Sequence, residues 1–280
     1  NKEVKKVNLC YSGILCGLNR EIFESLSKIK KDKKTGEYLF TNIFSYLYDF
    51  NKPINVLTFS EDELTGINNN YQLSYADQLL QKRIKLYHMR NGVTLLSPDS
   101  IYISSNVKID KDVIIEPNVF LGKNVTIKSS VKVKSNSYIE DTYINSFSEV
   151  GPSCRIRKNT TLGRNVKVGN FVEIKNSYIG NNSKVNHLAY LGDTTIGINT
   201  NIGAGTITCN YDGVNKNKTL IGNNVFIGSN CSLIAPIKIG NKSFIAAGST
   251  ISSDVNKNDF SIARAKQQII RNGRNKFLKV

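Results

Sequence analysis

The sequence is poor in several residue types, and each shortage narrows what the chain can be. It has no tryptophan, one methionine (Met89) and two histidines among 280 residues. No apolar run approaches the ~20 residues of a membrane-spanning helix, and no secretory signal opens the chain. We therefore expect a cytoplasmic protein without a membrane partner. Residue 1 is Asn1, so we also expect the chain to begin downstream of its natural start.

Cysteine is scarce and scattered, which argues against a disulfide framework and against zinc motifs. The five cysteines are an odd number, and none forms a C-x-x-C pair. We interpret them as reduced thiols of a cytoplasmic protein. They are Cys10, Cys16, Cys154, Cys209 and Cys231.

Positive charge is in clear excess over negative charge. The 38 Lys and Arg residues against 22 Asp and Glu residues give a net charge of +16. This balance favours anionic partners such as phosphorylated small molecules, nucleic acid or a membrane surface, unless it only reflects a lysine-rich surface. Basic residues are not interleaved with aromatic ones in the repeat described below, which argues against nucleic acid.

The part before residue 95 is predicted to be an α/β fragment that ends in a linker helix. Apolar residues at helical spacing predict helices over residues 19–31, with Asn19 as the cap, over residues 38–50 and over residues 71–90. A short strand is predicted over residues 53–59. The predicted apolar face of the third helix consists of Leu73, Ala76, Leu79, Leu80, Ile84 and Leu86.

After residue 100 an aliphatic residue recurs at every sixth position, with occasional steps of five. Six residues form one short strand and one corner, with the aliphatic side chain inside and a small residue, often glycine, beside the bend. Three such sides close a coil, so the series predicts about eight coils of a parallel β-helix. The series consists of Ile103, Ile109, Ile115, Leu121, Ile127, Val133, Ile139, Ile144, Val150, Ile156, Leu162, Val168, Ile174, Ile179, Val185, Leu191, Ile196, Ile202, Ile221, Ile227, Leu233, Ile239, Ile245 and Ile251.

Two segments depart from this repeat. A gap of nineteen positions separates Ile202 from Ile221 and contains the polar sequence T-I-T-C-N-Y-D-G-V-N-K-N-K-T. Departures from a solenoid cost little stability and often carry function. The chain also leaves the repeat at its basic C-terminal end. The predicted domains are the N-terminal α/β part (1–70), the linker helix (71–95), the β-helix (96–257) and a basic tail (258–280).

A β-helix is a scaffold, so function must come from its departures. His187 is the only histidine of the repeat and is a candidate active residue, whereas a zinc site of three histidines is excluded. His88 in the linker helix is interpreted as a surface or packing residue. Arg157 and Lys175 lie 18 residues apart, which is one coil. Stacked cations favour an anion such as phosphate between them, unless both are simply solvated.

The gap and two runs of small residues complete the candidate set. The gap supplies Asn210, Tyr211 and Lys216. A-G-T at 204–206 and A-A-G-S at 246–249 let backbone amides approach a ligand.

These motifs closely resemble one family, the bacterial bifunctional enzyme with glucosamine-1-phosphate N-acetyltransferase and N-acetylglucosamine-1-phosphate uridyltransferase activities. Its product, UDP-N-acetylglucosamine, is a precursor of peptidoglycan and lipopolysaccharide. The resemblance implies a left-handed β-helix, acetyl-coenzyme A as co-substrate, and a homotrimer with acetyltransferase sites between subunits. It is carried by G-R-N-V-K-V-G-N-F-V-E-I-K-N (163–176), N-H-L-A-Y-L-G-D (186–193), N-I-G-A-G-T-I-T-C-N-Y-D-G (201–213) and N-K-N-K-T (215–219).

The resemblance also implies a role for each matching residue. His187 matches the general base that deprotonates the amine of glucosamine 1-phosphate, a reaction that requires no metal. The matching sugar-phosphate cations are Arg157, Lys175 and Lys216. The other matching substrate contacts are Tyr190, Asn201, Asn210 and Tyr211. The matching acetyl-coenzyme A contacts are Ala204, Ser229, Ala247 and Arg264.

The N-terminal part resembles only the last third of the family's uridyltransferase domain. The Gly-rich nucleotide loop is missing, Tyr11 replaces a family Asn, and Asn42 replaces the usual Asp. Asn68 matches one residue of the family's Mg²⁺ site. We expect uridylyl transfer to be lost or incomplete in this chain, or to need a separate chain that carries the other half. The resemblance is carried by S-G-I-L (12–15), G-E-Y-L-F-T-N-I (36–43) and G-I-N-N-N (66–70).

Two other classes of function stay open. One is a hexapeptide acyltransferase that acts on another amine, such as an amino acid or a nucleotide sugar. The phosphate-binding cations and the C-N-Y-D-G motif argue against it. The other is a non-catalytic β-helix scaffold, which would not need a histidine, three cations and a long departure from the repeat in one neighbourhood.

Overall fold

The computed structural model describes residues 9–33, 35–271 and 273–274, so part of the predicted basic tail lies outside the described residues. The chain divides into two compact units, Asn1–Leu79 and Leu80–Val280. Among the described residues, no helix is both long enough and apolar enough to cross a membrane.

The first unit is helical in its described part. Helix α1 spans Asn19–Leu26, α2 spans Asn42–Asp49, a 3-10 turn spans Glu61–Glu63, and α3 spans Asn70–Arg90 and continues into the second unit. All three predicted helices are confirmed, and the first two are shorter than predicted. The predicted Asn19 cap is wrong, because Leu18 occupies the cap position and no described side chain caps α1.

The strand predicted over residues 53–59 is wrong, since these residues form no strand. Val56, Leu57 and Phe59 are exposed. A strand needs a neighbour to pair its backbone N–H and C=O groups. The described part of this unit contains no other strand, so the predicted α/β character is absent from it.

The second unit is a left-handed parallel β-helix with three sheets, as predicted. Its strands are numbered in chain order. Sheet A contains β1 (Thr94–Leu95), β4 (Ile114–Ile115), β7 (Lys132–Val133), β10 (Glu149–Val150), β13 (Lys167–Asn170), β16 (Lys184–His187), β19 (Asn201–Ile202), β22 (Phe226–Ile227), β25 (Phe244–Ile245) and β27 (Phe260–Ser261). Sheet B contains β2 (Tyr102–Ile103), β5 (Phe120–Leu121), β8 (Tyr138–Ile139), β11 (Arg155–Ile156), β14 (Glu173–Lys175), β17 (Tyr190–Gly192), β20 (Ile207–Cys209), β23 (Ser232–Ile234) and β26 (Thr250–Ile251). Sheet C contains β3 (Lys108–Ile109), β6 (Thr126–Ile127), β9 (Thr142–Ile144), β12 (Thr160–Leu162), β15 (Tyr178–Ile179), β18 (Thr194–Ile196), β21 (Thr219–Ile221) and β24 (Ile237–Ile239).

The predicted aliphatic series fills the axis of the solenoid. Every member lies in a strand, and all are buried except Ile109, which is partly buried. Thr208 in β20 is also fully buried and continues the six-residue step across the gap. Its hydroxyl accepts a hydrogen bond from the Gly192 N–H at 2.9 Å. The aliphatic pattern missed this position because a threonine occupies it.

The corners of the coils are built differently from the prediction. At most of them the backbone enters the left-handed region at an Asn or Asp, for example Asn136 (φ 60°) and Asp193 (φ 51°), which tolerate it best among residues with a side chain. The glycines that follow core residues mainly provide room. A Cβ on Gly169 would lie 1.8 Å from the carbonyl oxygen of Asn186 in the next coil. The neighbouring coil therefore requires glycine there.

The solenoid is longer than predicted at both ends. It begins with β1 at residue 94, ahead of the predicted start at 96. It continues past residue 257, because Phe260 in β27 pairs with Phe244. The first residues of the predicted tail therefore belong to the repeat.

The face that α3 buries in the second unit is more polar than predicted. Ile84 of the predicted apolar face is partly buried and packs against the core, as expected. Leu80 and Leu86 are exposed. Gln81 donates from Nε2 to the Ile103 oxygen and accepts from the Ile103 N–H, both at 3.0 Å. Strand β2 is an edge of sheet B, and an amide can pair its free backbone groups whereas a leucine cannot. The side chains that α3 buries are Gln81, Lys85 and His88.

Candidate active site

His187 lies at the corner between sheets A and B, at the end of β16. The strand register aligns the core residues of β16, β19, β22 and β25 in successive coils. The residues two positions after these core residues form one line, called the corner column here. The corner column consists of His187, Ala204, Ser229 and Ala247. The structure thus aligns the predicted general base with three of the four residues predicted to contact acetyl-coenzyme A.

His187 is exposed and held by one neighbour. Its Nδ1 lies 2.8 Å from Oδ1 of Asn170, its in-register partner in β13. Because an amide oxygen can only accept, this contact favours the tautomer with the proton on Nδ1. The Nε2 lone pair of that tautomer is then available to take a proton from a substrate.

The rest of the corner column is accessible and small. Ser229 and Ala247 are exposed, and Ala204 is half-buried. Arg264, the fourth predicted acetyl-coenzyme A contact, reaches back to the column and donates from Nη1 to the Ala247 oxygen at 2.7 Å. An extended ligand can therefore lie along these coils and end near a cation.

Three predicted cations lie at the corner between sheets B and C, and we call Arg157, Lys175 and Lys216 the cation cluster. Arg157 and Lys175 stand one coil apart, as predicted, and Lys216 lies close enough to Lys175 to lower its pKa. The Lys216 ammonium is the main cause that lowers the pKa of Lys175, followed by desolvation and the charge of Arg157, while Asp193 opposes the shift. Arg157 also pairs with Glu173 at 2.8 Å.

Lys216 is delivered by a loop over residues 210–218, called the excursion here, which leaves the solenoid after β20. Tyr211 and Lys216 form an isolated antiparallel bridge across it. The Asp212 carboxylate closes its turn by accepting the N–H groups of Val214 at 2.9 Å and Asn215 at 2.6 Å. These hydrogen bonds lower the pKa of Asp212. The excursion is therefore a hydrogen-bonded turn, and Lys216 lies on the segment that leads back to the solenoid.

Tyr190 and Asn210 converge beside the cation cluster. A Cβ on Gly192 would lie 2.7 Å from the Tyr190 hydroxyl and 2.6 Å from Nδ2 of Asn210, so both side chains occupy the space above this glycine. Asn210 is buried and donates to the Asp193 carboxylate. Gly192 thus gives these two predicted substrate contacts room to meet.

The structure leaves two of the predicted residues apart from the cation cluster. Asn201 lies in β19 on sheet A, between Lys184 and Phe226 of the neighbouring coils. His187 lies at the corner between sheets A and B, whereas the cation cluster lies at the corner between sheets B and C. The width of sheet B, crossed by β17, therefore separates them. One chain therefore presents the candidate site as two separate halves.

The predicted magnesium position lies in the first unit. Asn68 is exposed, and its N–H donates to Oε1 of Gln72 at 2.7 Å. Among the described residues there is no group of three or more His, Cys, Asp or Glu residues that could hold a metal ion. One neutral amide does not fit Mg²⁺, which is usually bound through carboxylates. The magnesium site at Asn68 stays a prediction.

Sequence reasoning missed two residues that organise these halves, Asn170 and Asp212, and assigned no role to a third, Asp193, which ends the motif N-H-L-A-Y-L-G-D. Asn170 holds His187, Asp193 holds Asn210, and Asp212 closes the excursion. Asn170 and Asp193 each stand 17 residues before the residue they hold. A search one coil upstream of each candidate would have found both of them.

Family models match three stretches of the β-helix. Residues 138–214 match the GMPPB C-terminal domain. Residues 218–253 match the bacterial transferase hexapeptide (six repeats), and residues 112–140 match the hexapeptide repeat of succinyl-transferase. The matched stretches agree with the observed solenoid.

Several relatives match nearly the whole chain. The bifunctional protein GlmU of Bartonella bacilliformis is 46% identical over 267 residues, which cover 95% of this chain and 60% of that protein. GlmU of Staphylococcus epidermidis is 42% identical over 284 residues, covering 95% of this chain and 63% of that protein. The chain thus spans about 60% of the length of the relatives it matches.

Solved structures resemble the chain less closely. LpxA, a UDP-N-acetylglucosamine acyltransferase from Bacteroides fragilis, is 19% identical with a TM-score of 0.45, covering 56% of this chain and 67% of that chain. An overlay this partial does not bear on the site. The sequence relatives are decisive, and the chain belongs to the family of bifunctional GlmU proteins.

Proposed function

We propose that this chain transfers the acetyl group of acetyl-coenzyme A to the amine of glucosamine 1-phosphate, giving N-acetylglucosamine 1-phosphate. The observation that carries the proposal is the cation cluster. The fold holds Lys175 against Lys216, with Arg157 close enough to act on its pKa. Like charges held together are unfavourable until an anion binds between them. A phosphate monoester supplies two negative charges and suits both the Arg fork and the lysine point charges.

His187 is the proposed general base. The amine nitrogen attacks the thioester carbonyl carbon, and Nε2 of His187 accepts the proton that the nitrogen loses. The C–N bond forms, the C–S bond breaks, and coenzyme A leaves as a thiol after taking up a proton. The contact between Asn170 and Nδ1 supports this role, because in the neutral imidazole it directs the proton to Nδ1 and leaves the Nε2 lone pair as the acceptor.

Acetyl-coenzyme A is proposed to lie along the corner column. Ala204, Ser229 and Ala247 leave its backbone accessible, and Arg264 stands at its end. Among the described residues, nothing accepts a hydrogen bond from the backbone N–H of residue 204 or 205. These two groups are candidates to stabilise the oxyanion that forms on the thioester carbonyl.

We propose that the active unit is a homotrimer whose sites are shared between subunits. The support is the separation of His187 from the cation cluster by the width of sheet B within one chain. A neighbouring copy can place its cation cluster beside His187 of the first copy. The family resemblance implies the same assembly.

The proposal is limited to acetyl transfer. Asn68 is the one residue that matches the family's magnesium site, and no described group of three metal-binding side chains accompanies it. A separate chain that carries the other uridyltransferase half stays a predicted partner.

The proposal is tested by mixing the chain with acetyl-coenzyme A and a panel of amines, and by following the loss of thioester absorbance. The panel contains glucosamine 1-phosphate, glucosamine, glucosamine 6-phosphate and free amino acids. We expect kcat/KM for glucosamine 1-phosphate to exceed that for glucosamine by tenfold or more, about the effect of one charged contact. Equal values for the two sugars would refute the phosphate site. No reaction with any amine would favour the scaffold function.

A further inference from the structure

Asp193 occupies a corner where the fold itself needs no carboxylate. At five corners between a strand of sheet B and the next strand of sheet C, one Asn or Asp adopts the left-handed conformation. Asparagine is sufficient for this conformation, since three of these corners have it. The corner residues are Asn124, Asp141, Asn159, Asn176 and Asp193. In the next coil the excursion replaces the corner, beginning with Asn210.

Asp193 holds both ends of that excursion. One carboxylate oxygen accepts a hydrogen bond from Nδ2 of Asn176 in the preceding coil. The other accepts one from Nδ2 of Asn210 at the start of the excursion. Its backbone oxygen accepts the N–H of Thr219, where the chain re-enters the solenoid. This one residue therefore links the preceding coil to both the departure and the return of the excursion.

The ionised carboxylate is the chemical feature that permits this arrangement. Two amide NH₂ groups donate to the side chain of residue 193, and a carboxylate can accept both. An asparagine has only one acceptor atom and would turn its own NH₂ towards one of the two donors. The carboxylate also fixes the orientation of the Asn210 amide, with Nδ2 towards Asp193. Asn210 is buried, so losing this partner is costly.

We infer that Asp193 is a positioning residue of the sugar-phosphate site: it locks the Asn210 amide and anchors the excursion that brings Lys216 to the cation cluster. The inference rests on the proposed function for its effect on catalysis. Its geometric part is independent of that function, since it concerns the hydrogen bonds of the free protein. Asp193 also favours the charged form of the nearby Lys175.

The test compares Asp193→Asn with Asp141→Asn. Asp141 is a matched control, because it occupies the same kind of corner and accepts Nδ2 of Asn124 at 2.6 Å, three coils before Asp193. For Asp193→Asn we expect the KM for glucosamine 1-phosphate to rise roughly tenfold or more, the effect of a lost charged hydrogen bond. The KM for acetyl-coenzyme A should change by less than about twofold. Asp141→Asn should change neither.

A double-mutant cycle separates positioning from general damage. If Asp193 acts through Asn210, adding Asp193→Asn to Asn210→Ala should raise KM much less than it does in the wild-type background. Additive effects of the two substitutions would overturn the inference.

Amide hydrogen exchange decides the geometric part without any activity. The backbone amides of residues 209–219 should exchange faster in Asp193→Asn than in the wild type. In Asp141→Asn their exchange rates should equal those of the wild type. If the wild type does not acetylate glucosamine 1-phosphate, the proposed function fails, but faster exchange still supports Asp193 as the anchor. Unchanged exchange across residues 209–219 would overturn the inference whatever the activity.

Discussion

Replacing Lys216 by Met should weaken phosphate binding and at the same time relieve a repulsion in the free protein. Lys216 is the main cause of the lowered pKa of Lys175. A lysine binds phosphate only while it is protonated, so affinity is present below the pKa of Lys175 and is lost as the pH rises through it. Without Lys216 that pKa rises towards the ordinary value of a lysine. The variant should therefore bind more weakly at neutral pH, yet lose its remaining affinity at a higher pH.

The magnitude follows from charge and exposure. In water a unit charge about 4 Å from another contributes about 1 kcal/mol, and a phosphate dianion doubles this. Two kcal/mol corresponds to about 30-fold in affinity. Lys216 is exposed, so salt screens part of the interaction. We therefore expect the KM for glucosamine 1-phosphate to rise about 5- to 30-fold at low ionic strength, and less at high salt.

The assay measures the KM for glucosamine 1-phosphate between about pH 7 and pH 10 at two salt concentrations. Lys218→Met is the matched control, because it removes the same charge two residues away in the same exposed segment. Its KM should stay within about twofold of the wild-type value. The cation cluster would not be the phosphate site if Lys216→Met and Lys218→Met raised KM equally. The same conclusion would follow if the pH dependence of Lys216→Met did not move upward.

Two further predictions concern stability. Burial lowers the pKa of His88, whose Nδ1 has no hydrogen-bond partner within the part of the chain that the structure describes. The unfolded chain should therefore bind the proton first as the pH falls below ~6.5, and the free energy of unfolding should drop between about pH 7 and pH 5. Denaturant midpoints should show this drop in the wild type and a flatter profile in His88→Leu. Gly169→Ala should cost more than about 2 kcal/mol and lower activity, since its Cβ would collide with Asn186 beside His187. A Cβ on Gly66 meets no atom of the described residues within 4 Å, so a change above about 0.5 kcal/mol in Gly66→Ala would contradict this reasoning.

The β-helix could be predicted from the sequence because one physical requirement repeats along it. Each side of a coil must bury one aliphatic side chain, so the six-residue period is visible without any alignment. The pattern fails where a polar residue takes the same place with its own hydrogen bonds, as Thr208 does. It also fails for α3, where Gln81 packs because it pairs with the backbone of an edge strand.

Local patterns also failed where a neighbour decides the structure. Residues 53–59 have strand-like composition but no strand to pair with among the described residues of their unit. Gly169 follows a core residue as a bend-forming glycine would, yet the backbone of the next coil is what requires it. Both outcomes depend on contacts that are distant in sequence.

The candidate site was predicted residue by residue from a resemblance, but its arrangement was not. His187, Ala204, Ser229 and Ala247 are unevenly spaced along the chain because of shortened coils and the excursion. Only the strand register aligns them in one column. The separation of His187 from the cation cluster likewise depends on which of the two corners bordering sheet B each residue occupies, and only the fold shows this.

The most direct test of the proposed acetyl transfer compares kcat for acetylation of glucosamine 1-phosphate in the wild type and in His187→Ala. Both substrates should be saturating, so that binding does not enter the comparison. Removal of a general base is expected to lower kcat by ~10²–10⁴-fold while the KM for glucosamine 1-phosphate changes little. Asn170→Ala should lower kcat less, because the imidazole remains and only its orientation is lost. A His187→Ala chain that acetylates glucosamine 1-phosphate at the wild-type rate would contradict the mechanism.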